Sequence, residues 1–234
     1  MDILHERLKT TLLGPLHISV GQGLSVSRFL LILFPEYTVV MSEFEQLRET
    51  VLQCHRCGLR QGCTHVVFGE GARDAKIICI GEGPGYYEDQ LGRPFVGASG
   101  QLLDKILSVC GFSRQQQVFI GNIVKCRPPQ NRDPLPEERE ACRPYIMKQI
   151  ELIDPPIVVL LGATALKGLI DPHASITRMR GSWLNWNNRL VMPTFHPSAL
   201  LRNPALKRDA WEDFKKVIDK YREIVDPLHH SDYH

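Results

Sequence analysis

Two groups of side chains in this sequence have the types and spacing to do chemistry. The first is Gly81-Glu82-Gly83-Pro84-Gly85, Asn122 and His196-Pro197-Ser198, each placed at the end of a short apolar, β-branched run. Glycines open backbone N–H groups to a ligand, an amide reads a donor–acceptor pattern, and an imidazole exchanges or donates protons near neutral pH. Taken singly, these features are more often a turn, a cap and a structural histidine. Their common position after strands is what makes a site, because ligands of open α/β sheets bind beyond the carboxyl ends of the strands. The glycine loop is not a dinucleotide fingerprint, since it lacks the third glycine and carries Pro84. The chain also has no serine in a nucleophile elbow and no His-Glu-x-x-His motif.

The second group is cysteine. Cys54 and Cys57 form a Cys-x2-Cys pair, and Cys126 and Cys142 form a second, wider pair. Two thiolate pairs hold either zinc or a cubane iron–sulfur cluster, and spacing alone does not choose. Cys63 lies close enough to Cys57 to compete as a ligand, whereas Cys79 and Cys110 sit in apolar patterns and read as small buried hydrophobes.

The elements needed to position these groups follow from periodicity. Runs at Lys76–Ile80, Val118–Ile123, Ile157–Leu161 and Leu190–Thr194 suit strands buried on both faces of a parallel sheet. Helices are expected between them. Ser42 with Glu45 forms a capping box ahead of Phe44, Leu47 and Val51, and Ser99 caps a helix that ends at Gly111. Pro136 opens a helix running towards Ile153, a short one follows Gly162, and a last one buries Leu206, Ala210, Phe214, Val217, Ile218 and Tyr221. Asn187-Asn188 marks a hairpin from Trp183 to Thr194. The expected fold is α/β, a three-layer α/β/α sandwich around a four-stranded parallel central sheet.

Composition sets the bounds. With 234 residues, 43% hydrophobic and 23% charged, the chain suits one domain or a tight pair. The formal net charge of +2 announces no global partner, but six basic and no acidic residues fall between Pro172 and Arg208, around His196, as docking of a polyanion requires. No apolar run approaches the roughly 20 residues of a membrane span. Residues 1–40, whose only strong feature is Phe29–Phe34, read as an appendage or as a start placed upstream of the true one; 41–226 is the functional domain and 227–234 a disordered tail.

Together, Gly81-Glu82-Gly83-Pro84-Gly85 with Glu88-Asp89, Gly92-Arg93-Pro94-Phe95-Val96-Gly97, Asn122 to Pro129 and His196-Pro197-Ser198 resemble the family 4 uracil-DNA glycosylases, the iron–sulfur branch of their superfamily. The resemblance runs in order from about Ser42 to Ile224. It implies a [4Fe–4S] cluster on Cys54, Cys57, Cys126 and Cys142, and excision of uracil from single- or double-stranded DNA by a monomeric cytoplasmic enzyme associated with the nucleoid of a prokaryote. By motif position, Glu82 and Gly83 belong to the water- and uracil-contact loop, Phe95 stacks on uracil, Asn122 reads its pairing edge and His196 contacts its O2. Leu200 falls at the apolar wedge, with Arg202 beside it on DNA. Gly83 replaces the aspartate of better-known superfamily members, so Glu82 or Asn131 is expected to orient the water, and Glu88 or a neighbouring tyrosine to exclude thymine. The basic insertion of cross-linking relatives is absent, which implies turnover. The alternatives are a non-catalytic binding module on the same fold and a zinc-stabilised nucleotide hydrolase; the intact Phe95, Asn122 and His196 argue against the first. The second lacks a triphosphate-cradling loop and a carboxylate cluster.

Overall fold

In the computed structural model, residues 41–233 are described; the reading of residues 1–40 as an appendage lies outside them. Ser42 caps α1 (Glu43–Leu52) by accepting the Glu45 N–H at 3.3 Å, as its capping box predicts. The four expected strands form β2 (Ile77–Gly81), β3 (Val118–Asn122), β4 (Ile157–Leu161) and β6 (Arg189–Thr194), all mutually parallel.

The sheet is wider than expected. It has six strands in the order β1-β3-β2-β4-β6-β5, because two antiparallel edges flank the parallel four. β5 (Leu184–Trp186) is the first arm of the anticipated hairpin, and Asn187 and Asn188 both adopt positive φ, as a tight turn matched to strand twist requires. β1 (Glu70–Gly71) pairs with β3 and is too short to show in any periodicity.

Alternate side chains of the strands enter two separate cores. Ile78, Ile80, Val158 and Leu160 pack with Phe44 and Leu47 of α1 and with Ile146 and Ile150 of α5 (Pro136–Ile153). Ile77, Cys79, Ile157 and Val159 pack on the opposite face with Leu103 and Leu107 of α4 (Ala98–Val109) and with Phe214, Val217 and Ile218 of α9 (Lys207–Ile224). Period-two alternation between two apolar layers therefore builds the three-layer sandwich. The remaining helices are α2 (Leu59–Gly62), α3 (Tyr86–Leu91), α6 (Ala163–Leu169), α7 (Ile176–Met179) and α8 (Pro197–Arg202). Helix α4 begins at Ala98 with Gly97, not Ser99, at its N-cap.

Within residues 227–233, expected as part of a disordered tail, His229 and Ser231 are buried while Leu228 is exposed. The His229 ring stacks on Phe112 at 4.5 Å and hydrogen-bonds the Cys110 carbonyl at 2.8 Å, while Arg222 donates to the His229 carbonyl and to Ser231 Oγ. Among the described residues no helix is long and apolar enough to cross a membrane.

Candidate active site

Strand register brings the first two motifs together: Gly81, the last residue of β2, pairs directly with Asn122, the last residue of β3. A Cβ at Gly81 would lie 2.6 Å from Asn122 Oδ1 and 2.7 Å from the Phe95 ring, so glycine there is what lets the amide and the aromatic approach. Asn122 is only 2% exposed, and its Oδ1 has no hydrogen-bond partner. A buried carbonyl oxygen left unpaired is costly, about 1–3 kcal/mol, which marks it as an acceptor built for a ligand. Its backbone is fixed from behind: Lys125 Nζ, itself buried, donates to the Asn122 carbonyl at 3.0 Å and to Gln149 Oε1 at 2.6 Å.

Phe95 holds the positive φ of 52°, a conformation that side-chain-bearing residues rarely adopt without restraint. Three contacts impose it. Arg114 donates to the Pro94 carbonyl at 2.8 Å and to the Phe95 carbonyl at 2.7 Å. Glu88 Oε1 accepts the Val96 and Gly97 N–H groups at 2.8 and 2.9 Å, and its Oε2 accepts the Gly85 N–H at 3.2 Å. Gly100 of α4 leaves space where any Cβ would collide with the Phe95 carbonyl. Glu88 therefore lines the cleft with both oxygens accepting backbone N–H groups, which clamps the Phe95 loop. Sequence motifs miss Arg114 because, besides Asp104, its partners are carbonyls 19 and 20 residues away.

His196 follows β6 and caps α8. The Ser198 N–H donates to its Nδ1 at 3.1 Å, so Nδ1 carries the lone pair and Nε2 the proton. Burial, reinforced by the nearby Arg202 guanidinium, pushes the imidazole down to about 4, which keeps the ring neutral at physiological pH. Its ring centroid lies 5.6 Å from that of Phe95.

Glu82 accepts the Thr164 hydroxyl at 2.6 Å, and burial raises its pKa against that bond. Across the cleft, Gln130 and Asn131 both have positive φ, and Asn131 Oδ1 accepts from Arg127 Nε at 2.7 Å. Glu82, Gly83, Glu88, Phe95, Asn122, Asn131, His196 and Arg202 all line one open cleft of about 440 Å³. Leu200 does not belong to it. It is 2% exposed, packed with Phe195 and Ala210 against Leu102 and Ile106, and so cannot serve as a wedge as it stands; α8 instead leaves Leu201 45% exposed.

On the face of α1 and α5, Cys54, Cys57, Cys126 and Cys142 line a second, small cavity with Val51, Leu59, Val66 and Val124. Burial raises the Cys126 and Cys142 thiols, so an occupant must displace their protons. Among the described residues no three His, Cys, Asp or Glu side chains converge as a single ion demands, with thiolates at about 2.3 Å from one point. Four thiols around one small cavity form a donor set that fits a thiolate-held metal or cluster. Cys63 engages Arg60 at 3.7 Å and does not line that cavity.

The sequence profile of the Uracil DNA glycosylase superfamily matches residues 68–215. The type-4 uracil-DNA glycosylase of Thermotoga maritima is 48% identical over 177 residues, covering 74% of this chain and 92% of that protein. The corresponding enzyme of Sulfurisphaera tokodaii is 45% identical over 186 residues, 76% of this chain and 84% of that protein. That of Saccharolobus solfataricus is 42% identical over 186 residues, 76% and 86% of the two chains.

Proposed function

Because the chain belongs to the type-4 uracil-DNA glycosylases of the uracil DNA glycosylase superfamily, we propose that it extrudes uracil from DNA, hydrolyses the N-glycosidic bond and leaves an abasic site. The observation that carries this reading is the unpaired, buried Asn122 Oδ1 beside the strained Phe95 ring and the neutral His196. Uracil's pairing edge offers N3–H to that oxygen and O4 to the amide NH2. Cytosine presents an acceptor where uracil presents N3–H, so it is refused at about 1–3 kcal/mol. Stacking on Phe95 returns about 1–3 kcal/mol of the cost of unstacking the nucleotide.

As the C1′–N1 bond breaks, its electron pair moves into the uracil ring and the sugar becomes cationic. His196, neutral and with its proton on Nε2, donates a hydrogen bond to the developing charge on O2 and does not surrender the proton. Water then adds to C1′, and the proton it releases passes through solvent to the uracil anion, which departs as neutral uracil. Gly83 supplies no side chain to deprotonate it. Glu82, held by Thr164, and Asn131, held by Arg127, flank the cleft and orient that water. Arg202 lies on the phosphate path, and Leu201 takes the wedge position that Leu200 vacates.

The four cysteines would hold a [4Fe–4S] cluster, which would tie the segment after α1 to α5 and to the segment after β3. Lys125, next to Cys126 in sequence, then links that segment to the Asn122 backbone. In this reading the protein acts as a monomer in the cytoplasm, on uracil in single- and double-stranded DNA.

The test is abasic-site formation on oligonucleotides carrying uracil opposite guanine, opposite adenine and in a single strand. Release of uracil with thymine and cytosine left intact is expected. Intact uracil strands after incubation with iron-replete protein would refute the assignment.

A further inference from the structure

The mouth of the cleft carries two aromatic side chains that take no part in the bond-breaking step. Tyr86 and Tyr87 open α3 and are 52% and 62% exposed, yet their rings are ordered against one another, edge to face at 5.4 Å and 80°. Both line the cleft that holds Phe95 and Asn122. Arg127, from the loop after β3, places its guanidinium 5.1 Å from the Tyr86 ring centroid and donates to Asn131 on the opposite lip. The pair is thus a braced aromatic surface beside the opening, continuous with the site and backed by a cation.

We propose that Tyr86 and Tyr87 form a stacking platform for the base adjacent to the extruded nucleotide, so that the enzyme grips two successive nucleotides of a single strand. This rests on the uracil-glycosylase reading. Extruding one nucleotide strips a stacking partner from its neighbour. In a duplex the complementary strand still holds that neighbour in register; in a single strand nothing does. Every base has a π-face, so an aromatic platform accepts any neighbour, and Arg127 adds attraction for the flanking phosphate. The occupant is single-stranded DNA around the lesion.

The experiment compares single-turnover kcat/KM of the wild type and of the Tyr86→Ala/Tyr87→Ala double variant on three single-stranded oligonucleotides. One carries uracil between ordinary bases; in the others a tetrahydrofuran abasic analogue replaces the base on the 5′ or the 3′ side. In the wild type, one replacement is expected to lower kcat/KM about tenfold. The double variant is expected to lose about tenfold on the parent strand and nothing further on that replacement, because the platform and its base are coupled. The Tyr86→Phe/Tyr87→Phe variant keeps the rings and is expected to stay within about twofold of wild type. The side chains are exposed, so folding is not at stake; a far-ultraviolet dichroism spectrum checks it. An alanine variant with unchanged kcat/KM, or one that still suffers the full loss on the abasic-flanked strand, overturns the platform. Failure of the wild type to release uracil from the parent strand refutes the glycosylase reading, and the platform with it.

Discussion

The two walls of the cleft are built to opposite standards. The base-holding wall, made of buried Phe95 and Asn122 and half-buried His196, is restrained from behind by Arg114, Glu88, Lys125 and Ser198. The facing lip, from Arg127 to Asp133, is largely exposed, and Asn131 is held through the side chain of Arg127. Burial is concentrated where the leaving group must be recognised and its charge received, while the lip that positions water is exposed and held through side chains, Arg127 on Asn131 and Arg132 on Glu138. A dissociative reaction needs that division, since the departing anion requires fixed donors and the water requires only a position.

Breaking the rigid wall should have the largest effect. His196→Ala removes the donor to O2 and is expected to lower the single-turnover rate by about 10²–10³-fold, with DNA affinity little changed; a loss under about fivefold would place charge stabilisation elsewhere. Arg114→Met tests whether the restraint on Phe95 matters. It leaves two carbonyls unpaired, so a stability loss of about 2–4 kcal/mol in chemical denaturation is expected. With it should come a drop of about tenfold in kcat/KM, carried mainly by kcat and partly restored by Arg114→Lys. Among the groups that position the water, Asn131→Ala and Glu82→Gln are each expected to cost about tenfold or less in single-turnover rate, at the low end of general acid–base effects. Full rates in both variants would remove these residues from water positioning.

A titration sharpens the same contrast without altering the rate of chemistry. A free imidazole titrates near 6.5, but burial holds His196 down to about 4. Nitrogen-15 NMR of the ring should therefore show a neutral, Nε2-protonated imidazole at pH 6 that gains a proton on Nδ1 only near pH 4. Between those values the unfolded chain binds the proton and the folded one does not. The stability tied to His196 is therefore full above pH 6.5 and is lost as pH falls towards 4.

Much of this was legible in the sequence because it is written in local signals. Four β-branched runs mark the parallel strands, and the residues at their ends converge because strand register leaves no alternative. What escaped depends on tertiary contact. Leu200 and Leu201 are adjacent apolar residues on one short helix, and only packing against Leu102 and Ile106 decides which is buried. The tail reads as polar and terminal, yet His229 finds Phe112 and Cys110 more than a hundred residues earlier in the chain. Arg114 pairs with Asp104, but its hold on the Phe95 loop is through backbone carbonyls, which leave no pattern of side-chain types to recognise.

The central claim is that the orphaned Asn122 Oδ1 is reserved for a pyrimidine held between Phe95 and His196. A crystal structure of the protein with abasic DNA and free uracil addresses it directly. The account predicts uracil stacked on Phe95, its N3–H donated to Asn122 Oδ1 and its O2 accepting from His196 Nε2. Uracil bound elsewhere, or bound in the cleft with that oxygen still unpaired, would contradict it.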